Sequence, residues 1–335
     1  MFNPEETKIA FFGGANNKSA VRAVRALSDA GFQINVGTAD PRENSYIQRK
    51  TEASFYDSYA EALEGVNIIL TSCATPDDVE DLYCNEGGLL ELMEKGQSAV
   101  DLSFSTPQLA REIHALAAVK DLVVLDAPVI NVGSKEQTVA FIGGEKDAIE
   151  ALSPIFPYLA PSIYPQTKPG EGQFAAVLAI ITFAASIMST VEALAMQRTA
   201  GFSNKSALKI LSFTNSNSGV LHDYAPRIKS RDYSGVITVA SFLNSLEVVI
   251  DTAQDLDLSL PMIENCYQLF DLLSVVGGRE LNIQALALLY EDENTCKQFG
   301  LDWSLADEYT EKSLNDDLED DDNENSAFNT YFSNN

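Results

Sequence analysis

Short apolar runs separated by helix-like stretches recur from Lys8 to about Tyr164, and this alternation constrains the fold more than any other feature of the chain. The runs are Lys8–Phe12, Gln33–Gly37, Asn67–Ser72, Ser98–Leu102, Leu122–Asp126 and Val139–Ile142. Such a pattern predicts a βαβ series on a parallel sheet. After the first run, Ser19–Ala30 carries Val21, Val24 and Leu27 at a spacing of three and is closed by Gly31, a C-cap residue. Asp77–Tyr83 and Pro107–Val119 predict further helices, with Pro76 and Pro107 near first turns, where a fixed φ is tolerated. Residues 1–164 therefore read as a doubly wound α/β domain.

Beyond a proline-bearing hinge, Pro161 to Pro169, strand signals end and helical patterns cover 170–200, 204–213, 219–230, 237–256, 261–276 and 281–289. Residues 165–300 are expected to form an all-α second domain. Within it, Phe174 to Val191 runs eighteen residues without a charge, long enough to raise the question of a membrane span. Its Ala, Ser and Thr content and the lack of Lys/Arg asymmetry at its flanks favour instead a helix buried on all sides. Residues 301–335 are predicted to be a disordered acidic tail, the last thirty positions holding ten acidic side chains against a single Lys312.

Charge narrows the partners. With 22 basic and 49 acidic residues the net charge is −27, a surface that repels phosphate backbones and anionic headgroups. Neither a nucleic-acid nor a membrane partner is expected. Cys73, Cys84, Cys266 and Cys296 show no CxxC pair or short regular spacing, so neither a zinc ribbon nor a disulfide framework is suggested; no metal site is expected, and the thiols read as reduced and buried. The N-terminal MFNPEETKIAFFGG has no basic region followed by an apolar stretch, which leads to the expectation of a cytoplasmic protein.

Several motifs occur in one order: KIAFFGG, TSCATPDDVEDLY, VDLSFSTPQLAREI, LDAPV, FIGGEKDAIE, GEGQ opening a long helical stretch, and YAPRIKSRDYSG. Together they resemble the β-hydroxyacid dehydrogenase superfamily, which includes 3-hydroxyisobutyrate and 6-phosphogluconate dehydrogenases and tartronate semialdehyde reductases, with imine reductases as more distant relatives. The likeness spans roughly residues 8 to 290. It implies a Rossmann-like N-terminal domain for NADP or NAD, a long interdomain helix, a helical C-terminal domain, a small-molecule ligand in the cleft between them, and a homodimer.

The departures from the family pattern are as informative as the matches. Where the resemblance places G-x-G-x-x-G, the chain reads Gly13-Gly14-Ala15-Asn16-Asn17-Lys18, so a methyl and a long side chain replace the second and third glycines. Either Lys18 meets a phosphate at the helix N-terminus, or the nucleotide loop is lost. Asp40 and Arg42 follow the second run, where the family selects NAD or NADP, and an ordinary Asp-Pro turn accounts for them equally well. Ala74 and Thr75 match a cofactor-facing turn. The family's acid/base lysine falls at Ala176 and its asparagine at Ile180, counting from Gly170 and Gly172, and alanine has no proton to give. The carboxylate-holding loop has become Val129-Ile130-Asn131-Val132, and a lysine near the nicotinamide has become Asn244. Ser103 matches a substrate-contacting serine, though loops also use serine for turn reasons. The resemblance thus implies a substrate pocket of Ser103, Asn131, Val132, Ala176, Ile180 and Asn244.

Other chemistry has few seats. His114, in REIHALAAV, reads as a packing residue, and the acidic run Asp77, Asp78, Glu80 and Asp81 complements a helix dipole. His222, Asp223 and Tyr224 are a possible proton relay, although adjacent helical residues do not face one another. Two readings follow. One is an atypical NAD(P)H-linked oxidoreductase that reduces a C=O or C=N bond of a non-carboxylate small molecule without the family lysine. The other is a catalytically silent homologue with a binding, scaffolding or partner-subunit role.

Overall fold

A computed structural model describes residues 4, 6–13, 18–37, 47–49, 51–132, 138–213 and 219–306. Six parallel strands make the main sheet, in the order β3-β2-β1-β4-β5-β6: β1 (Lys8–Gly13), β2 (Gln33–Gly37), β3 (Ser54–Tyr56), β4 (Ile68–Ser72), β5 (Ser98–Asp101) and β6 (Val123–Asp126). Alternate side chains supply two cores. Ile9, Phe11, Ile34, Val36, Ile68 and Leu70 face helix α1 (Lys18–Asp29), which contributes Ala20, Val24 and Leu27. Ala10, Phe12, Ile69, Ala99 and Val124 face α2 (Pro76–Cys84) and α3 (Pro107–Val119). Strands buried on both sides must be apolar throughout, which is why these runs are legible in the sequence. Pro76 and Pro107 each open a helix as the first helical residue, and Thr75 and Thr106 cap them through their side-chain oxygens.

A second sheet, β7-β8-β9, combines β7 (Val129–Asn131), β8 (Thr138–Ile142) and β9 (Ser162–Pro165). β8 is antiparallel to β7 and parallel to β9. The segment read from sequence as a hinge, Pro161 to Pro169, therefore contains an edge strand. Proline at a strand end is compatible with an edge position, so the two prolines flank a strand without preventing it.

From Glu171 to Thr199 runs a 29-residue helix, α4, followed by α5 (Asn204–Phe213), α6 (Gly219–Ser230), α7 (Val239–Gln254) and α8 (Pro261–Leu273). Among the described residues α4 is the one helix long and apolar enough to cross a bilayer, and here it packs against α6, α7, α8 and β8. The helical pattern 261–276 ends early: a π-turn at Ser274–Gly278 carries Gly277 at φ 105, and the pattern at 281–289 is a 3-10 helix, Ile283–Tyr290. The predicted acidic tail lies outside the described residues except for 301–306. Cys266 and Cys296 are buried, but Cys84 is exposed and Cys73 only half-buried, correcting the expectation of four buried thiols.

Candidate functional site

The order of the main sheet reverses between β1 and β4, the position at which open parallel sheets receive a ligand beyond their carboxyl ends. Gly13 ends β1 there at φ 130, and a Cβ on it would collide with the Ser72 carbonyl of β4. This close approach is available to glycine alone. Gly14, Ala15, Asn16, Asn17, Asp40 and Arg42 lie outside the described residues, as does the side chain of Lys18. At the next turn Thr75 is a capping residue: its Oγ1 accepts from the Asp78 amide at 3.2 Å, and Asp78 Oδ2 accepts from the Thr75 amide at 3.1 Å. One lone pair of the Thr75 hydroxyl is thus engaged by the helix, and Ala74 beside it is exposed.

Two aspartates occupy the same level of adjacent strands, Asp101 at the end of β5 opposite Asp126 at the end of β6. Asp126 holds the start of α4. Its Oδ1 accepts from the Gly170 amide at 2.8 Å and its Oδ2 from the Gln173 amide at 2.9 Å, satisfying donors that a helix N-terminus otherwise leaves unpaired. Gly172 is required beside it, because a Cβ would lie 2.7 Å from Asp126 Oδ2, the Gly143 nitrogen and the Phe141 carbonyl. The GEG motif is therefore the socket for a buried carboxylate. Burial pushes the Asp126 carboxyl up, and the backbone amides restrain that rise.

Asp101 sits in a network of its own. Its Oδ1 accepts from Ser103 Oγ at 2.5 Å, from Thr71 Oγ1 at 2.8 Å and from the Ser103 amide at 3.1 Å. Thr71 Oγ1 also meets Tyr83 Oη at 2.9 Å, and Ser103 Oγ accepts from the Cys73 amide at 2.8 Å. Burial first, opposed by the bonds from Ser103 and Thr71 and reinforced by Asp126, raises the Asp101 carboxyl to about 6. Gln173, fully buried, joins this network to α4: its Nε2 donates to the Ser103 carbonyl at 2.9 Å and its Oε1 accepts from the Ser105 amide at 3.1 Å.

One and two helical turns beyond Gln173 come the positions where the family lysine and asparagine are expected, Ala176 and Ile180. Ala176 is 0% exposed and Ile180 4%, and both belong to one apolar cluster with Ile130 of β7, Tyr224 and Phe242. Phe104, Val132 and Phe141 of the first domain pack against that cluster. The junction between the domains is lined at these positions with hydrocarbon.

The remaining expected residues sort as follows. Ser103, expected in the pocket wall, is fully buried with its hydroxyl engaged by Asp101 and Cys73. Asn131 and Val132 are half-buried at the end of β7. Asn244 reaches across from α7, its Nδ2 donating to the Ala74 carbonyl at 3.2 Å, so it ties the second domain to the turn after β4. Of the three residues of the candidate relay, His222 is exposed while Tyr224 is buried against Phe183, and burial, reinforced by Asp223, pushes the Tyr224 hydroxyl up to about 12. Consecutive residues on a helix diverge by geometry. His114 is half-buried and its Nδ1 meets the Val124 carbonyl at 3.3 Å. Among the described residues no group of three His, Cys, Asp or Glu is placed to hold a metal ion. Sequence reasoning missed Thr71, Tyr83, Asp101 and Gln173. The available signal was that two neighbouring buried strands, AVD and VVLD, both end in aspartate.

Comparison with known proteins agrees with this geometry. Residues 9–167 match the NAD binding domain of 6-phosphogluconate dehydrogenase, and residues 170–290 match the NAD-binding domain of NADP-dependent 3-hydroxyisobutyrate dehydrogenase. The chain belongs to the β-hydroxyacid dehydrogenase superfamily. It is an oxidoreductase-superfamily protein, and its nucleotide cofactor class is NAD(P). An uncharacterised oxidoreductase of Bacillus subtilis is 29% identical over 286 residues, covering 84% of this chain and 98% of that protein. The structure of Mycobacterium tuberculosis 3-hydroxyisobutyrate dehydrogenase with L-serine superposes with a TM-score of 0.76 at 20% identity, over 85% of this chain and 99% of that one. An imine reductase from Myxococcus stipitatus in complex with NADP+ shares the fold at a TM-score of 0.54 and 15% identity, over 85% and 100% of the two chains. The described part of the nucleotide loop, Gly13 at the switch point, fits this class: its positive φ and its contact with the Ser72 backbone admit no Cβ at the end of β1.

Proposed function

We propose that this protein is an NAD(P)H-linked reductase acting on the C=O or C=N bond of a small molecule that carries no carboxylate. The observation that carries this reading is the apolar junction: Ala176, Ile180 and Ile130 stand in one hydrocarbon cluster where the family has a lysine, an asparagine and an anion-holding loop. A carboxylate moved into such a wall loses hydration and gains no partner, so it is excluded by several kcal/mol, of order the cost of burying an unpaired charge. A neutral ring or a cationic imine with an apolar body meets no such barrier. Bound NAD(P)H supplies the hydride. The protein's own contribution is to hold the two domains at a fixed angle through Asp126, Gln173 and Asn244, and to keep water from the reacting carbon.

A silent homologue with a binding or scaffolding role is the second reading, favoured by the same side chains: Ala176 at 0% and Ile180 at 4% exposure close the wall in this conformation. Calorimetric titration with NADPH and NADH, followed by cofactor consumption with cyclic imines and uncharged ketones, separates the two. Micromolar binding with turnover supports the reductase; binding absent at millimolar concentration supports the silent homologue.

The reading includes a homodimer in the cytoplasm. Phe174, Leu178 and Met196 of α4 are exposed. Between them Thr182 Oγ1 donates to the Ala179 carbonyl at 2.9 Å, Ser186 Oγ to the Thr182 carbonyl at 2.9 Å and Ser189 Oγ to the Ser186 carbonyl at 3.1 Å. Hydroxyls turned back on their own helix leave a stripe that packs without unmet donors. Sedimentation equilibrium tests it: a mass twice that of one chain agrees, and a monomer at tens of micromolar refutes it.

A further inference from the structure

Charge is distributed unevenly along this acidic chain. Between Glu192 and Glu247 lie six of its 22 basic residues, Arg198, Lys205, Lys209, Arg227, Lys229 and Arg231, and only two of its 49 acidic ones, Asp223 and Asp232. The six occupy the end of α4, helix α5 and the end of α6. Elsewhere cations commonly face a carboxylate one to one, as in Arg25–Asp29, Lys95–Asp121, Lys146–Glu150, Lys168–Glu171 and Lys297–Glu293. Here only Arg227 is matched in that way, by Asp232 at 3.0 Å.

Arg198 and Arg231 converge instead on one carboxylate, Glu291. Arg231 Nη2 lies 3.4 Å from its Oε2, Arg198 Nη1 contacts its Oε1, and Arg198 Nη2 donates to the Tyr290 carbonyl at 2.8 Å. The Glu291 side chain is 7% exposed and those of Arg198 and Arg231 41% and 44%, so the carboxylate is covered and the surplus positive charge faces water. Lys205, Lys209 and Lys229 are exposed and enter no ion pair among the described residues. Gln197 Nε2 donates to the Phe202 carbonyl, which keeps the start of α5, with Lys205, against the end of α4 that carries Arg198.

The described residues end beside this face. Phe299 packs edge-on against Tyr233, two residues after Arg231, with ring centroids 4.9 Å apart. The Leu301 amide donates to the Cys296 carbonyl at 3.2 Å, the Trp303 side chain hydrogen-bonds the Cys296 sulfur, and that sulfur lies 4.0 Å from the Glu291 carbonyl. Residues 307–335, outside the described residues, hold ten acidic side chains against Lys312, and seven of the ten fall within Asp316–Glu324. An extended chain spans at most about 3.3–3.6 Å per residue, so Asp316 lies within about 35 Å of Ala306.

We propose that the acidic run Asp316–Glu324 docks, in its own chain, on the basic face of Arg198, Lys205, Lys229 and Arg231. The inference does not depend on the reaction catalysed. Charge complementarity selects the occupant: the rest of the surface repels such a run, and the net −27 of the molecule equally repels a nucleic acid or a second acidic copy from the same face. Tethering supplies the rest, because a linked segment meets its site at an effective concentration of order millimolar, enough to populate contacts too weak to hold a separate peptide.

Zero-length carbodiimide coupling of the full chain, read by peptide mass spectrometry, joins a carboxylate to a lysine only on contact. At low salt, Asp316–Glu324 should couple to Lys205 and Lys229 several-fold more often than to Lys95, Lys146 or Lys168, although these three are 74–78% exposed. That preference should vanish at about 1 M salt, where the screening length falls to about 3 Å. In a mixture of 15N-labelled and unlabelled protein the coupled pairs should be of one isotope; mixed pairs would give the face to the segment of a second copy and overturn the assignment. Changing the seven carboxylates of the run to their amides in the full chain should speed amide exchange at 228–233 several-fold while leaving the urea midpoint unchanged. Coupling spread over all exposed lysines at low salt, or exchange at 228–233 indifferent to the amide changes, overturns the docking.

Discussion

Restoring the family lysine by Ala176→Lys tests the junction directly. Ala176 is 0% exposed and its cluster neighbours Ile130, Ile180 and Phe242 offer no carboxylate. Three added carbons and a nitrogen in a packed site cost about 1–3 kcal/mol. The ammonium adds a second cost, limited because the lysine can shed its proton: moving from an unfolded value of about 10.4 to pH 7 costs about 3.4 units at about 1.36 kcal/mol each, or about 4.6 kcal/mol. The sum, about 6–8 kcal/mol, is comparable to the whole stability of an ordinary domain, about 5–15 kcal/mol. Direction follows from linkage. The folded-state lysine has a lowered pKa, so the unfolded state binds more protons and stability rises with pH up to the unfolded value. Raising the pH from 7 to 9 should return about 2.7 kcal/mol, two units of the same term. Urea unfolding of Ala176→Lys at both pH values measures this, with Ala176→Met as the control that shares the added volume and lacks the charge. If the lysine variant matches the methionine variant at pH 7 and gains nothing by pH 9, position 176 is open to water and the apolar-wall argument fails.

Three further outcomes follow from the same geometry. Gly172→Ala should lose about 2.5–6 kcal/mol, from overpacking of about 1–3 and from one charge-assisted bond at Asp126 worth about 1.5–3, read by urea unfolding; a loss below about 1 would mean the socket yields. Asp101 has a folded pKa of about 6, above its unfolded value near 3.9, so the unfolded state releases its proton first and the stability that Asp101 contributes declines as pH rises from about 4 to about 6, by up to about 3 kcal/mol. The pH dependence of unfolding, wild type minus Asp101→Asn, should show that slope, and a flat difference would contradict it. Asn244→Ala removes the bond to the Ala74 carbonyl, an exposed contact worth at most about 0.5–1.5 kcal/mol, and should raise amide exchange at 73–75 without lowering global stability by more than that.

The strands with continuous apolar runs were legible because burial on both faces demands them: Lys8–Gly13, Gln33–Gly37 and Ile68–Ser72 fall within one residue of the pattern. Ser54–Tyr56 was not, being three residues on a half-exposed edge, and Ser162–Pro165 was hidden by its prolines. Helix 171–199 was legible from its length and lack of charge, and the identity of its family from the order of the motifs. The site was only half legible. Substitution at 176 and 180 could be counted from Gly170 and Gly172, but the roles of Asp101, Asp126 and Gln173 depend on strand register and on which carbonyl a side chain reaches. Those are tertiary facts with no local pattern. The same holds for Ser103 and Tyr224, whose residue types suggest chemistry and whose burial assigns them to a network and to a core.

The central claim is that this cleft accepts substrates without a carboxylate. Its most direct test is a matched pair in one assay: NADPH consumption with 1-pyrroline, and NAD(P)+ reduction with 3-hydroxyisobutyrate, by the same preparation at pH 6–7. Turnover of the imine exceeding that of the hydroxy acid by at least a hundredfold is the predicted result, about 2.7 kcal/mol of discrimination against a charge the apolar wall cannot hold. Efficient oxidation of the hydroxy acid with no reaction of the imine would contradict the account.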